Sequence, residues 1–202
     1  GSVAAPTAGL HFTEKVFQKL EQKNIQVGYI TLHVGAGTFK PVGKEGIEKH
    51  EMHTEQVLIE KELVERLIEN AGKIIAVGTT TVRTLESLYW FGVKLQDDPD
   101  SGFSVHQFDP YRIPEEKQPE AKDSLVNVLE YMGYLPGTTQ LMIVPGYRYR
   151  MIRGMITNFH QPGSTLLLLI AAWLGDTWKE IYDFALENDF RFLSYGDSCL
   201  FL

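Results

Sequence analysis

Apolar and polar residues alternate in two different periods along the chain. Apolar positions at helical spacing predict helices over 13–24, 61–70, 78–91, 124–132, 164–174 and 177–187. Runs rich in β-branched residues predict strands over 25–34, 73–77, 140–144, 150–158 and 190–202, the last interrupted at 195–197. Strands that alternate with helices are typical of the α/β class, so we predict a mixed, largely parallel sheet with flanking helices.

One segment, 96–123, breaks this pattern. It contains four prolines, together with eight acidic and three basic residues, and thus carries −5 of the formal net charge of −7. Irregular loops of this length are uncommon within compact domains, so we predict a long acidic insertion over 93–139. Because the rest of the chain is close to neutral, a local basic patch elsewhere remains compatible with the overall charge.

Composition narrows the class of protein. With 202 residues, 44% of them hydrophobic and 22% charged, the chain fits one globular domain. Its longest apolar run, 166–174, is far shorter than the roughly 20 residues that span a bilayer. The single cysteine, Cys199, excludes a disulfide within the chain and fits a reducing compartment. We therefore expect a cytoplasmic protein without membrane contact, and we favour a monomer.

Three predicted strands end in small, polar or histidine residues. His33 is followed by Gly35 and Gly37, Gly78 by Thr79, Thr80 and Thr81, and His160 by a turn at 162–164. Open α/β sheets bind ligands at the carboxyl ends of their strands, so we predict that these ends form one pocket wall. Each signal has a structural alternative: a histidine in the core, a tight glycine turn, or a threonine that caps the helix.

Two further groups could contribute. His53 and Glu55 lie in HEMHTE, whose spacing differs from the helical zinc motif, so we predict a hydrogen-bonding or acid–base role and no metal. Arg148 and Arg150 alternate with tyrosines in PGYRYR, a pattern that suits phosphate contacts and base stacking. The alternative for these arginines is a solvated strand edge.

Six segments then resemble a known family. They are VAAPTAGLHFT (3–13), TLHVGAGTF (31–39), MHTE (52–55), AVGTTTVRTLES (76–87), TNFHQPGST (157–165) and FRFLSYGD (190–197). In this order they resemble the signature segments of the S-adenosylmethionine:tRNA ribosyltransferase-isomerase family. The resemblance implies that residues 1–202 form the C-terminal part of the family's main catalytic domain. The resemblance further implies that the family's N-terminal segment and inserted β-barrel domain, which would supply part of the active site, lie outside residues 1–202.

The resemblance also implies an activity. Members transfer and isomerise the ribosyl part of S-adenosylmethionine onto 7-aminomethyl-7-deazaguanine in tRNA, which gives epoxyqueuosine and releases adenine and methionine. No metal is implied. The alternatives are a non-catalytic fragment that binds tRNA or a nucleotide, and a paralogue that uses S-adenosylmethionine on another acceptor.

The implied chemistry gives the candidate residues roles. A sulfonium acidifies the adjacent C5′ protons, and a base with a pKa near the operating pH could remove one. We assign proton handling or substrate contact to His33 and His160, and name Glu86 and Asp197 as the candidate catalytic carboxylates. The residues predicted to bind the S-adenosylmethionine are Gly35, Gly37, Gly78, Thr79, Thr80, Thr81 and Arg83. Further candidates are His11, His53, Glu55, Asn158 and Tyr195, with Arg148 and Arg150 predicted to contact tRNA.

Overall fold

The computed structural model describes residues 5–33, 46–131 and 135–202. Its α-helices are α1 (Glu14–Gln22), α2 (Lys61–Glu69), α3 (Thr79–Asp97), α4 (Ala121–Tyr131), α5 (Thr165–Leu174) and α6 (Thr177–Glu187). Its strands are β1 (Thr31–His33), β2 (Glu55–Ile59), β3 (Ile74–Val77), β4 (Ser104–Val105), β5 (Leu135–Thr139), β6 (Ile152–Asn158) and β7 (Ser198–Phe201). Within these ranges, 3-10 helices cover Thr7–His11, Ile47–Lys49, Asp109–Arg112 and Glu115–Lys117. Two predicted binding residues, Gly35 and Gly37, lie outside the described residues.

The described strands form two mixed sheets. One has the order β1-β2-β5-β4 and the other the order β3-β6-β7. The predicted mixed α/β class is confirmed, but the expectation of a single, largely parallel sheet needs correction. The described pairs β1–β2, β2–β5 and β6–β7 are antiparallel, and only β3–β6 and β4–β5 are parallel. Alternation of helices and strands predicts the class, whereas strand direction depends on which strands become neighbours.

Helix α3 is the centre of the fold. Its residues from 82 to 93 are buried on every side, which is the pattern of a helix surrounded by other elements. It contacts strands of both sheets and packs against α4. At the α4 contact, a Cβ on Gly92 would lie 2.1 Å from the Ser124 carbonyl oxygen, so only glycine allows this approach. Ser124 Oγ also donates to the Tyr89 carbonyl at 2.6 Å, which fixes the two helices together.

The segment 93–139, here called the acidic segment, contributes several side chains to the core, although its prolines and charges predict a long insertion. Phe103 and Val105 are buried, β4 pairs with β5, and Leu125 and Val128 of α4 are fully buried. The Phe103 ring lies against Gly137, where any Cβ would collide with it. Prolines and charged residues surround these few apolar residues in the sequence, so the pattern does not predict that they are buried. That 93–139 is an insertion stays a prediction.

Several element boundaries also differ from the prediction. Leu141, Met142 and Ile143 are buried, but residues 140–144 form no regular strand, although the Met142 N–H donates to the Gln107 carbonyl at 3.1 Å. The strand predicted over 25–34 is shorter, as is the one predicted over 190–202. The helices at 61–70 and 177–187 are confirmed nearly to the residue.

Candidate functional site

The carboxyl ends of β3 and β6 lie side by side. These strands are parallel neighbours, and the Gly78 N–H donates to the Ile156 carbonyl at 2.8 Å just beyond β3. Gly78 has a φ of +93°, a conformation that side-chain-bearing residues rarely adopt, and it turns the chain directly into α3. The segments that follow Gly78 and Thr157 therefore leave the three-stranded sheet at the same end, where β3 and β6 have their carboxyl ends. We call this end of the sheet the edge of β3 and β6.

The 3-10 helix Thr7–His11 packs against this edge. Ala8 is buried, and a Cβ on Gly78 would touch its methyl group at 4.0 Å. His11 Nε2 lies 3.3 Å from Asn158 Nδ2, and the same amide donates to the Gly196 carbonyl at 3.4 Å. Three motifs that are far apart in sequence, those containing His11, Asn158 and Gly196, are thus brought into contact.

The loop 190–197 is held in a strained shape at this edge. Leu193 has a φ of +70°, and its N–H donates to the Phe159 carbonyl at 2.9 Å. Asp197 accepts from the Arg191 N–H at 2.8 Å and from its guanidinium at 3.0 Å, and these bonds lower the pKa of the carboxyl. Between these fixed points the Tyr195 side chain is 88% exposed. The loop therefore presents an aromatic ring to solvent beside Gly196.

The first turns of α3 carry polar groups in a buried setting. The first-turn N–H groups of Thr79, Thr80 and Thr81 have no acceptor within the helix, and the positive end of the helix dipole lies there. One turn further, the buried Arg83 forms an ion pair with Glu55, which is fully buried at the start of β2. This pair links the edge of β3 and β6 to the four-stranded sheet.

Buried polar atoms without partners concentrate around these elements. Among the described residues they include His53 Nε2, Arg83 Nε, Thr157 Oγ1, Asn158 Oδ1 and His160 Nε2. Among the same residues, the Glu55 carboxylate contacts Arg83 in an ion pair but accepts no hydrogen bond besides. Each unpaired buried group costs about 1–3 kcal/mol, so such atoms indicate where a polar ligand or further polypeptide would bind. Thr157 is the member that sequence analysis missed, because a threonine within a strand carries no distinctive signal.

His160 is held as a neutral imidazole. Burial lowers its pKa from 6.5 to about 4. Its backbone N–H is bonded to the Tyr182 hydroxyl at 3.2 Å, and the preceding Phe159 packs against the rings of Tyr182, Phe190 and Phe192. At neutral pH one ring nitrogen donates and the other accepts, so the unpaired Nε2 can do either, depending on the tautomer.

His33 lies elsewhere, and this corrects the predicted single pocket wall. It pairs with Gln56 across β1 and β2, and directly opposite residues point to the same face of a sheet. Glu55 faces the core, so Gln56 and His33 lie on the other face. There, His33 lines an open cleft of about 590 Å³ with Phe103 and Thr138. The strand ends near Gly78 and His160 belong to neighbouring strands, whereas His33 lies on a strand of the other sheet.

Glu86 is engaged in holding the fold together. Its Oε2 accepts from the Tyr147 hydroxyl and the Arg150 N–H, both at 2.9 Å, and its Oε1 accepts from the Met151 N–H at 2.9 Å. Burial raises the pKa of the carboxyl, and these three hydrogen bonds oppose that shift. With its oxygens used in this way, Glu86 fits a structural role better than the catalytic one suggested by the sequence.

Arg148 and Arg150 do not lie on a strand, since β6 begins at Ile152. The exposed Arg148 is ion-paired with Glu115 at 3.1 Å, whereas Arg150 is partly buried over the Tyr89 ring. The strand predicted over 150–158 therefore begins two residues later than expected. The arginines border a separate cleft of about 250 Å³.

The described residues contain no cluster of three His, Cys, Asp or Glu side chains that could hold a metal ion. Among the helices in the described ranges, none is both long and apolar enough to cross a membrane.

Comparison with known proteins places this arrangement in a family. Residues 1–201 match the family described as Queuosine biosynthesis protein. The chain belongs to this family. Its relatives include the S-adenosylmethionine:tRNA ribosyltransferase-isomerases of Thermotoga petrophila, 41% identical, and Thermoanaerobacter sp., 39% identical, each over 206 residues and 100% of the chain. The match covers 50% of each relative, so the chain spans about half their length.

A solved structure supports the same assignment. The crystal structure of the S-adenosylmethionine tRNA ribosyltransferase from Thermotoga maritima superposes with a TM-score of 0.61 at 32% identity. The match covers 97% of this chain and 51% of that one. The similarity therefore extends over almost all of the fold described above.

Proposed function

We propose that the full-length protein is an S-adenosylmethionine:tRNA ribosyltransferase-isomerase. It would transfer and isomerise the ribosyl moiety of S-adenosylmethionine onto 7-aminomethyl-7-deazaguanine in tRNA, which yields epoxyqueuosine. Family membership and the names of the relatives support the activity. We further propose that it acts in the cytoplasm, as a monomer, without a metal.

The observation that carries the placement of the site is the set of unpaired buried polar atoms around the ends of β3 and β6. Thr157 Oγ1, Asn158 Oδ1 and His160 Nε2 lie within four consecutive residues there. Their donors and acceptors fit a polar nucleoside, and the Asn158 amide is already oriented by Gly196. We propose this edge as the binding site for S-adenosylmethionine.

Neighbouring groups match the other parts of that molecule. Bound S-adenosylmethionine supplies the ribosyl group and a sulfonium that acidifies its C5′ protons. The exposed Tyr195 ring could stack on a purine, and the Asp197 carboxylate, ionised at neutral pH, favours a nearby positive charge. The first-turn N–H groups of Thr79, Thr80 and Thr81 favour a carboxylate.

Proton handling falls to His160 in this proposal. Since burial keeps the ring neutral at pH 7, it can accept a proton without first losing one. Its low pKa makes it a weak base, and His11, whose Nε2 contacts Asn158, is the second candidate for this role. His33 faces the other cleft and keeps no role at the edge of β3 and β6.

An assay with the full-length protein tests the proposal. The protein is incubated with S-adenosylmethionine labelled in its ribose and with tRNA bearing 7-aminomethyl-7-deazaguanine. Label in the tRNA is the expected result. Binding of tRNA without transfer would instead indicate a non-catalytic protein, and release of adenine without labelled tRNA would indicate another acceptor.

A matched pair of variants tests the site. His160→Ala should slow transfer by about 100-fold or more if the ring handles a proton. His106→Ala removes an exposed histidine outside the cluster and should leave the rate unchanged. Equal rates for both variants, with intact folding, would remove His160 from the proposed site.

A further inference from the structure

A second cleft, formed by residues outside the cluster at β3 and β6, carries two arginines and three aromatic rings. Arg148 and Arg150 border it, and Trp90, Tyr111 and Tyr147 form its walls. Its volume of about 250 Å³ is below the range of about 300–1,000 Å³ typical of pockets for drug-sized ligands. The cleft therefore suits a small group, such as one phosphate with its adjoining sugar, better than a whole coenzyme.

The deeper arginine is preorganised but incompletely paired. The Arg150 N–H is anchored on Glu86 at 2.9 Å, and its guanidinium carbon lies 5.7 Å from the centre of the Tyr89 ring. Its Nη2 is bonded to Gln118 Oε1, whereas its Nε is buried with no partner in the described part of the chain. A planar guanidinium with a free N–H in a cleft is suited to binding an oxyanion.

The outer arginine is paired with the same segment of chain. Arg148 Nη1 contacts Glu115 Oε1 at 3.1 Å, and both side chains are largely exposed. Glu115 is the first residue of the 3-10 helix Glu115–Lys117 and Gln118 directly follows that helix, so one short stretch of chain supplies an acceptor oxygen to each arginine. Exposed ion pairs of this kind contribute little to stability, so an anion can replace Glu115 at low cost.

The aromatic wall adds a second element of recognition. The Tyr111 ring is 42% exposed, while its hydroxyl is fixed by the Met142 carbonyl at 3.0 Å and the Val144 N–H at 3.1 Å. A partly exposed ring that is held in place by its hydroxyl is a platform for a nucleobase. Arginines beside such a ring are the combination that single-stranded RNA contacts use.

We propose that this cleft binds a backbone phosphate of the RNA substrate and that Glu115 and Gln118 occupy the two arginines until RNA displaces them. The inference rests on the proposed function for the identity of the RNA. It gives part of the acidic segment a role: the carboxylate of Glu115 competes locally with phosphate, so RNA binding requires an exchange of partners at Arg148 and Arg150.

Binding of a fluorescent tRNA anticodon stem-loop to the full-length protein, followed by anisotropy, tests this. Arg148→Ala should weaken binding by about 5- to 10-fold and reduce the slope of log K against log salt by about 0.7–0.9, the value for one phosphate contact. Arg150→Lys keeps the positive charge but loses the planar guanidinium, which can donate two parallel hydrogen bonds to a phosphate. This variant should also weaken binding. Wild-type affinity for both variants would overturn the proposal.

The competition has its own matched control. Glu115→Gln removes the charge that contacts Arg148, and Glu116→Gln removes the same charge from the next residue, which is exposed. Glu115→Gln should tighten RNA binding at least 3-fold more than Glu116→Gln. Equal effects would show that only the total charge matters, and the displacement mechanism would be wrong.

A further measurement separates the two sources of an oxyanion. Equilibrium dialysis with labelled S-adenosylmethionine should give the same affinity for the wild type and Arg148→Ala. Lower affinity for S-adenosylmethionine with unchanged RNA binding would assign the cleft to the methionine carboxylate and overturn the proposal. RNA binding that depends on the arginines in a protein without ribosyl transfer would support the cleft and refute the proposed function alone.

Discussion

Replacing Glu86 with alanine distinguishes a structural carboxylate from a catalytic one. The change leaves the N–H groups of Arg150 and Met151 buried without an acceptor, in a region where Met151 is 2% exposed. At about 1–3 kcal/mol for each such group, the loss is about 2–6 kcal/mol. The wild type pays a cost for burying the Glu86 carboxylate, which is visible as the raised pKa of this group. The alanine variant no longer has that cost, and this offsets part of the loss. We therefore expect a net loss of about 3 kcal/mol in the free energy of unfolding.

Glu86→Gln should have a smaller effect. Its oxygen can keep the Tyr147 hydroxyl and the Arg150 N–H, while its amide group faces the Met151 N–H, donor against donor. We expect a loss of about 1–2 kcal/mol. Glu65→Ala, an exposed position in the middle of α2, is the control and should change the free energy by less than about 0.5 kcal/mol.

Urea unfolding of the full-length protein, with the midpoint read by circular dichroism, measures these differences. The ribosyl-transfer rate of the folded fraction is measured in parallel, and Glu86→Gln should stay within about 3-fold of the wild type. A large loss of transfer at unchanged stability would refute the reasoning and restore Glu86 as a catalytic group.

Three further predictions follow from the geometry at the ends of β3 and β6. Gly78→Ala places a Cβ at a φ of +93° and should cost about 1–3 kcal/mol by urea unfolding, an effect that a wild-type midpoint would exclude. Burial lowers the His160 pKa from 6.5 to about 4, so between these pH values the unfolded chain binds a proton that the folded chain does not. The free energy of unfolding is therefore highest above pH 6.5 and falls towards pH 4 by up to about 3 kcal/mol. His160→Gln should flatten that dependence, and an unchanged slope would argue against the burial effect. Asn158→Ala should raise the KM for S-adenosylmethionine about 10-fold, whereas Asn127→Ala, which also loses an amide–carbonyl bond, should not; equal KM values would refute the contact.

Some features of the fold were accessible from the sequence because they depend on local chemistry. The amphipathic period gave α2 and α6 nearly to the residue, and Gly78 marked the turn from β3 into α3. Ser164 is a recognisable N-terminal cap of α5, and its Oγ accepts a hydrogen bond from the Leu167 N–H at 3.2 Å. These features depend only on residues that are close together in the sequence.

Other features depended on distant contacts. Val105 enters the core only because β4 pairs with β5, and the acidic residues around it concealed that pairing. His33 resembled His160 in sequence, yet the register of β1 on β2 turns its side chain to the opposite face from Glu55. The link between Glu86 and Met151 crosses 65 positions and leaves no periodic signal.

The central claim is that S-adenosylmethionine binds where β3 and β6 end. A crystal structure of the full-length protein with S-adenosylmethionine bound tests it most directly. We predict polar atoms of the ligand within hydrogen-bond distance of Thr157, Asn158 or His160, with the Tyr195 ring beside it. Ligand in the cleft lined by His33 and Phe103, with those three side chains still unpaired, would contradict the account.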